Sequence, residues 1–338
     1  MTSPDIQKDI VNSCAKETVK AIIEDLNGDF FGILVDESKD VSHKEQMALV
    51  LCYVNKEGEL IERFLSLVHV KGTTAHALQK EIYSLLLRHS LSSSLIRGQE
   101  YNGASNIQGN INGLKALILK DNPSAHCFTH QLQLTLVAVA KKHHDVNNVL
   151  IFLLIGFCAA IDLQLSELNS RFSEVNTSPL LGMVSLSPDD SFANYDKNKI
   201  MKLATYYPNE FTASKLEDLS YELGNYIDYV REMDNAFSNL KELGDLSKAL
   251  VKINIHKTWG LVYLLVKLSL ILPVATATVE RAFSSMKFIK NDLRSKIGDD
   301  FLNDCLVCFI EDEVFESVSN DAIIDRFQNM TTRRVQVK

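Results

Sequence analysis

The stretch FFGILVDESKDVSHKEQMALVLCYVNKEGELIERFLSLVHV, residues 30–70, decides the fold. It contains three runs of bulky and β-branched residues, at 30–35, 46–54 and 60–70, and each has the length of a strand. Asn-Lys-Glu-Gly at 55–58 joins the last two runs and supplies a glycine where a hairpin turn can require a positive φ. The stretch therefore predicts three antiparallel strands.

The residues after this stretch alternate between helical and strand patterns. Two threonines precede a helix predicted at 75–88, in which leucine and isoleucine recur at helical spacing. A short strand near 95–97, a helix at 107–119, a brief strand at 125–128 and a helix at 131–142 follow. This order predicts an α/β fold, a ribonuclease H-like mixed sheet with flanking helices, followed by a mainly helical C-terminal region.

Composition limits the classes of function. The chain has 338 residues, of which 46% are hydrophobic and 23% charged, so it can bury a substantial core. The net charge of −8 provides no general attraction to phosphate, and DNA binding would need a local basic patch. The scattered cysteines favour reduced thiols in an intracellular protein. The longest uncharged apolar run, 149–161, is shorter than the ~20 residues of a bilayer span, so no membrane association is predicted.

The composition shifts along the chain predict six segments. They are an N-terminal helix at 1–28, the first part of the ribonuclease H-like core at 29–145, a linker-like segment at 146–200, a helical segment at 201–252, a strongly apolar helical region at 253–315 and a tail at 316–338; the resemblance described below implies that 146–200 is a shortened insertion and 253–315 a dimerisation region.

Three positions could carry metal-dependent chemistry. Asp36 ends an apolar strand, where a carboxylate can project from the sheet; taken alone, the motif favours a turn-capping residue. Asn102 lies in Tyr-Asn-Gly-Ala-Ser-Asn, a pattern typical of a tight turn into a helix. Glu280 falls outside the apolar stripe of its predicted helix and can point toward a site, although an ordinary surface glutamate would look the same.

A fourth string contains Cys127 and His130 in a Cys-x-x-His pattern. Two ligands do not complete a tetrahedral zinc site, which favours a structural role at a strand-to-helix junction.

In order, LVDESKDVS, YNGASN, CFTH and TATVERAFSS resemble the dispersed motifs of hAT-family DNA transposases, with most similarity to plant proteins related to TTF-type and MYM-type zinc-finger transposase-like proteins. The resemblance implies a DDE-type site in which Asp36, Asn102 and Glu280 occupy the catalytic positions and Asp36 and Glu280 bind Mg²⁺ or Mn²⁺. The ancestral activity would be phosphodiester hydrolysis and strand transfer. Because Asn102 replaces an aspartate, its amide offers an oxygen without the negative charge that a two-metal centre requires.

The resemblance also implies losses. The zinc finger expected before Asp36 is missing, and the segment after the Cys-x-x-His helix is too short for the family's usual insertion. We therefore predict a truncated, catalytically inactive protein that retains no metal cofactor, binds DNA weakly at most, and is nuclear by family resemblance. It would form homodimers or associate with related transposase-like proteins through 253–315. The apolar residues expected to mediate this association are Trp259, Leu264, Phe283, Phe301, Leu306 and Phe309.

Two alternatives follow from the same residues. A residual two-metal nuclease or strand transferase would use Asp36 and Glu280, with Glu100 in place of the missing acid. A product of a decayed gene would lack a stable fold and melt without cooperativity.

Overall fold

The computed structural model describes residues 3–101, 113–127, 174–232, 237, 239–272 and 277–330. Two compact units make up the chain. The first combines Met1–Lys56, Leu60–Ala125 and Thr276–Lys338, and the second combines Glu57–Glu59 and His126–Ala275.

A four-stranded mixed sheet forms the centre of the first unit. Its strands are β1 (Phe31–Lys39), β2 (Glu45–Val54), β3 (Leu60–His69) and β4 (Ile96–Tyr101). The order is β3-β2-β1-β4, with β1 antiparallel to β2, β2 antiparallel to β3, and β4 parallel to β1. Gly58 in the β2–β3 turn has a φ of +80°, as its position in the sequence predicted. The three strands predicted within 30–70 and the short strand predicted near 95–97 are confirmed, whereas no strand is found over 125–127, the described part of the strand predicted at 125–128.

Helices account for the other regular elements of the described chain. In chain order they are α1 (Pro4–Leu26), α2 (Ala75–Arg88), α3 (Leu114–Asp121), α4 (Glu174–Leu186), α5 (Asp189–Phe192), α6 (Lys197–Ala204), α7 (Ala213–Glu232), α8 (Leu243–Lys252), α9 (Gly260–Leu270), α10 (Ala277–Ile289), α11 (Asp299–Ile310), α12 (Asp312–Ser317) and α13 (Asn320–Asn329). The predicted helix at 75–88 is confirmed, with Thr74 as its N-cap. The helix predicted at 131–142 lies outside the described residues.

The two faces of the sheet are covered by different helices. Side chains alternate along β1, so Val35 and Asp36 point to opposite faces, which we call the Val35 face and the Asp36 face. Helix α1 lies on the Val35 face, where the Tyr53 hydroxyl donates to Asp25 at 2.7 Å. On the other face, Thr278 of α10 donates to Glu62, which the strand register places in line with Asp36. Helix α10 therefore covers the Asp36 face.

The outer edge of β3 is covered by α11 and the residue that follows it. The Leu67 N–H donates to Asn303 Oδ1 at 2.8 Å, and the Phe64 N–H donates to Glu311 Oε1 at 2.5 Å. These contacts satisfy backbone donors that an outer strand otherwise leaves open to pairing with another chain.

The C-terminal helices are part of the same hydrophobic core as the sheet. Val279, Ala282 and Met286 of α10 and Leu306 of α11 are fully buried there. The larger of these side chains, Val279, Met286 and Leu306, each contribute about 1.5–3 kcal/mol when buried. The predicted region 253–315 is thus divided at Ala275/Thr276, because α10 packs on the sheet whereas α9 packs on α7 and α8 of the second unit.

The second unit is helical where it is described. It lies in sequence between β4 and α10, in the part of the chain where the resemblance implied a lost insertion, so the predicted truncation gains no support. Half-buried Trp259 packs there, with its ring 6.0 Å from that of Tyr226 and 5.9 Å from that of Tyr229. None of the helices described in either unit is long and apolar enough to cross a bilayer.

The predicted fold class is confirmed. The chain has a mixed four-stranded sheet with flanking helices, followed by a helical C-terminal region.

Candidate functional site

Asp36 lies in the second half of β1, paired with Ala48 of β2. Its relative exposure is 8%, so the carboxylate is held close to the protein interior. The Glu37 N–H donates to Asp36 Oδ1 at 2.7 Å, a local bond that fixes the side chain. The fold therefore presents this acid from within a strand that continues to Lys39, whereas the sequence predicted that the strand ends at Asp36.

Asn102 lies outside the described residues, so its placement stays a prediction. The preceding residue, Tyr101, ends β4 and pairs with Val35, which precedes Asp36 in β1. Strand β4 thus runs beside β1, and the residues that precede Asp36 and Asn102 are paired with each other.

Glu100 is fully buried in β4. It pairs with Leu34, and paired residues of parallel neighbours point to the same face. Because Leu34 and Asp36 are two residues apart, Glu100 also points to the Asp36 face. A second carboxylate in addition to Asp36 is therefore present on this side of the sheet.

Glu280 lies in the first turn of α10, the helix that covers the Asp36 face. Its neighbours Val279 and Ala282 are buried, whereas Glu280 is exposed, as the surface-glutamate alternative expects; its catalytic role stays a prediction. The fold consequently places Asp36, Glu100 and the helix of Glu280 on one side of the sheet, although 244 residues separate Asp36 from Glu280 in the sequence.

The donor set determines whether a metal fits here. Among the described residues, no three or more Asp, Glu, His or Cys side chains are grouped closely enough to hold an ion. A two-metal centre needs several anionic oxygens, and Asn102, the residue at the predicted second position, has a neutral amide. The described residues do not fit the metal pair of the ancestral reaction, and we derive no chemical step through it.

The Cys-x-x-His string is only half described. Cys127 is buried, with 8% relative exposure, and His130 lies outside the described residues. The structural role predicted for this pair stays a prediction.

A buried ion pair joins the residue that follows β1 to the residue that follows α10, and sequence reasoning missed it. Lys290 Nζ lies 2.6 Å from Asp40 Oδ2, and both side chains are 1% exposed. Asp40 also accepts hydrogen bonds from the N–H groups of Ser42 and Lys44 and from the Gln46 amide. Burial acts to raise the pKa of Asp40, but the hydrogen bonds from Lys290 and these donors hold it below its usual value.

Asp299 extends this pair into a network. It accepts from Lys44 Nζ at 2.8 Å and lies 3.9 Å from Lys290 Nζ. The sequence held a signal for the buried lysine, since Lys290 continues the helical spacing of Val279, Ala282 and Met286 and so falls on the buried stripe of α10. The network fastens the end of α10 to the strand that carries Asp36.

The predicted dimerisation residues fall into different environments. Phe283 and Leu306 are buried in the core of the first unit, and Trp259 and Leu264 are half-buried in the second. Phe301 is half-buried, and Phe309 is the only one of the six that is largely exposed, at 51%.

Sequence reasoning missed Phe288, which is 70% exposed on α10. Its ring stacks on that of Phe309, with centroids 5.8 Å apart and an interplanar angle of 22°. Leu293, just beyond α10, is 96% exposed. The stacked rings of Phe288 and Phe309 form what we call the Phe288–Phe309 patch, and neighbouring exposed apolar side chains are a candidate interaction surface.

A comparison with protein families supports the fold. Residues 1–113 match the family model DUF4371, described as ZMYM1/FAM200, RNase-like domain. This domain is found in domesticated hAT-like transposase-related proteins. The match covers α1, the sheet, α2 and Asp36, and ends before α10 and Glu280. An RNase-like, transposase-related domain is thus shown for the first third of the chain.

Proposed function

We propose that the protein is transposase-derived, that its DDE-type site is catalytically inactive, and that it acts by associating with other protein chains. The observation that carries the proposal is the partial site on the Asp36 face. The strand of Asp36 and the helix of Glu280 are retained, while the second catalytic position is Asn102. An amide there cannot supply the charge that balances two divalent cations.

Cleavage of hairpin and nicked DNA with Mn²⁺ tests the inactive site. The native chain, Asn102→Asp and Asp36→Asn are assayed side by side at equal concentration, with far-UV circular dichroism to verify folding. We expect no cleavage by the native chain or by Asp36→Asn. Cleavage by Asn102→Asp alone would localise the loss of activity to one residue, whereas cleavage by the native chain that Asp36→Asn abolishes would refute inactivity.

The second candidate function is a residual two-metal nuclease or strand transferase. The observation in its favour is Glu100, a fully buried carboxylate on the same face as Asp36. If Glu100 replaces the missing acid, the native chain binds Mn²⁺ and both Asp36→Asn and Glu100→Gln abolish that binding. Equal Mn²⁺ binding by all three proteins would exclude this candidate.

Association through 253–315 is the second half of the proposal. The exposed Phe288–Phe309 patch supports it, because apolar side chains at a partner interface leave water on association. We expect light scattering at micromolar concentration to show a dimer that Phe309→Ser dissociates. Leu87→Ser is the matched control, since Leu87 is 77% exposed on α2 and outside the patch. A native chain that is strictly monomeric would remove this half, unless related transposase-like chains bind instead.

Nucleic-acid binding and nuclear localisation complete the proposal. The net charge of −8 allows only weak binding, which we expect to disappear as salt rises from 50 to 200 mM. A fluorescent fusion of the chain tests localisation, and exclusion of the fusion from the nucleus would contradict the proposal.

A further inference from the structure

The two ends of helix α11 carry exposed charge of opposite sign. The turn at 290–298, which joins α10 to α11, exposes Arg294 and Lys296 and one acid, Asp292. Helix α12, at the other end of α11, exposes three acids and contains no basic residue: Asp312, Glu313 and Glu316. The 12 residues of α11 hold the two ends about 18 Å apart. One surface of the first unit is therefore basic at one end and acidic at the other.

These exposed charges are not neutralised within the part of the chain that the structure describes. Lys290, in the same turn, is buried and paired with Asp40, but Arg294 and Lys296 form no ion pair with any described residue. Glu313 and Glu316 likewise form none there. Both sets of charges are consequently available to groups outside the chain.

The Phe288–Phe309 patch connects the two charged ends. Phe288 is the second-last residue of α10, next to the turn, and Phe309 is the second-last residue of α11, next to α12. Their rings stack on each other while both remain exposed. Helical hydrogen bonds continue through Glu311, so Glu313, four residues after Phe309, lies on the same side of the helix as that ring.

A surface with this arrangement is complementary to itself. A two-fold rotation about an axis through the aromatic pair exchanges its ends, and so places the basic turn of one copy opposite α12 of the other. The same contact then occurs twice, with four phenylalanine rings between the two contacts. A partner of uniform charge would be repelled at one end, because like charges that face each other across an interface are unfavourable. A second copy of the chain satisfies both ends at once.

We propose that two copies of this chain associate through the Phe288–Phe309 patch about a two-fold axis, with the turn at 290–298 of each copy against α12 of the other. The inference rests on the association proposed above, and it specifies the partner, a second copy, and the orientation of the pair. The aromatic rings leave water at the centre of the contact, which favours binding. The opposite charges at the rim select the orientation and the partner.

Reversing the charge at each end in turn tests the proposal. Arg294→Glu/Lys296→Glu makes the turn acidic, and Glu313→Lys/Glu316→Lys makes α12 basic. All four side chains are exposed, and far-UV circular dichroism verifies that the variants fold. Sedimentation velocity of the whole chain at micromolar concentration measures the dissociation constant of the dimer. We expect each variant alone to dimerise at least about tenfold more weakly than the native chain, because every charge pair in its homodimer becomes repulsive.

An equimolar mixture of the two variants is the decisive sample. In their heterodimer the acidic turn of one chain faces the basic α12 of the other, and the two unaltered ends face each other, so both contacts are attractive again. We expect the mixture to dimerise with an affinity close to that of the native chain. Lys71→Glu/Lys80→Glu is the matched control, since it changes the net charge as the turn variant does, at two exposed residues outside the patch. We expect it to dimerise like the native chain.

The outcomes that contradict this interface differ from those that contradict association itself. If the native chain dimerises and the charge variants behave like the control, the copies meet elsewhere, and the proposed association stands without this interface. Weakening in both variants that mixing does not reverse would exclude the facing of opposite ends. A strictly monomeric native chain would overturn the interface together with self-association, and related transposase-like chains would then be the partners to measure.

Discussion

Replacing Lys290 with Met tests whether the buried ion pair determines the stability of the first unit. The Lys290 ammonium lies 2.6 Å from Asp40, and both side chains are 1% exposed. Met is nearly isosteric with the aliphatic part of Lys and suits the apolar stripe on which position 290 lies. The substitution therefore removes the charge with little loss of packing.

The expected loss of stability depends on the hydrogen bonds that Asp40 keeps in the variant. Breaking a buried pair typically costs about 3–5 kcal/mol, because the remaining charge stays buried without its counter-ion. Asp40 retains hydrogen bonds from Ser42, Lys44 and Gln46, so we expect the lower end of this range, about 3 kcal/mol. With a urea m-value of about 3 kcal/mol/M, the unfolding midpoint would fall by about 1 M.

Urea unfolding followed by far-UV circular dichroism is the assay, with Lys44→Met as the control. Lys44 belongs to the same network through its pair with Asp299, but its side chain is 42% exposed, and we expect a clearly smaller change. The double variant Asp40→Asn/Lys290→Met should lose less stability than the two single variants added together. Equal midpoints for Lys290→Met and Lys44→Met would refute the reasoning that burial makes this pair important.

Three further predictions follow from the described contacts. The folded pKa of Asp40 is lowered, so its stabilisation is present above about pH 4 and is lost as pH falls through the folded pKa; urea midpoints measured from pH 6 to pH 2 should fall less steeply in Lys290→Met than in the native chain. Glu311→Ala should cost about 1–3 kcal/mol by leaving the Phe64 N–H without an acceptor, whereas Glu311→Gln keeps an acceptor and should cost less; equal losses in urea unfolding would contradict this. Leu306→Ala should cost about 2–5 kcal/mol, and Phe309→Ala less than about 1 kcal/mol in the monomer, by the same assay, because only Leu306 is fully buried.

The strands and the first helix after them could be predicted because their signals are local. The apolar runs within 30–70 are continuous since both faces of the sheet are covered, and Gly58 marks the hairpin turn. The stripe of α10 likewise predicted that Glu280 is exposed. In each case the information lies within a few residues of the element.

The sequence did not predict the role of α11 or the pairing of Lys290. An apolar face predicts burial but not the surface that buries it, so Leu306 and Phe283 looked like candidates for an interface although the sheet covers them. Asp40 is recognisable as a turn residue, but its partner lies 250 positions away. Long-range pairing of this kind depends on topology and cannot be read from spacing.

The division of the chain explains why the acidic motifs are so far apart. Residues 126–275 lie in sequence between β4 and α10, so the chain must return to the sheet before Glu280 can reach the Asp36 face. Without α10 and α11, that face and the backbone donors of β3 would lose the groups that cover them. The matched residues 1–113 contain the strand of Asp36 but not this cover. Fold and candidate site therefore require the same C-terminal helices, and activity measured on a fragment that ends at residue 275 would not distinguish a lost site from a lost fold.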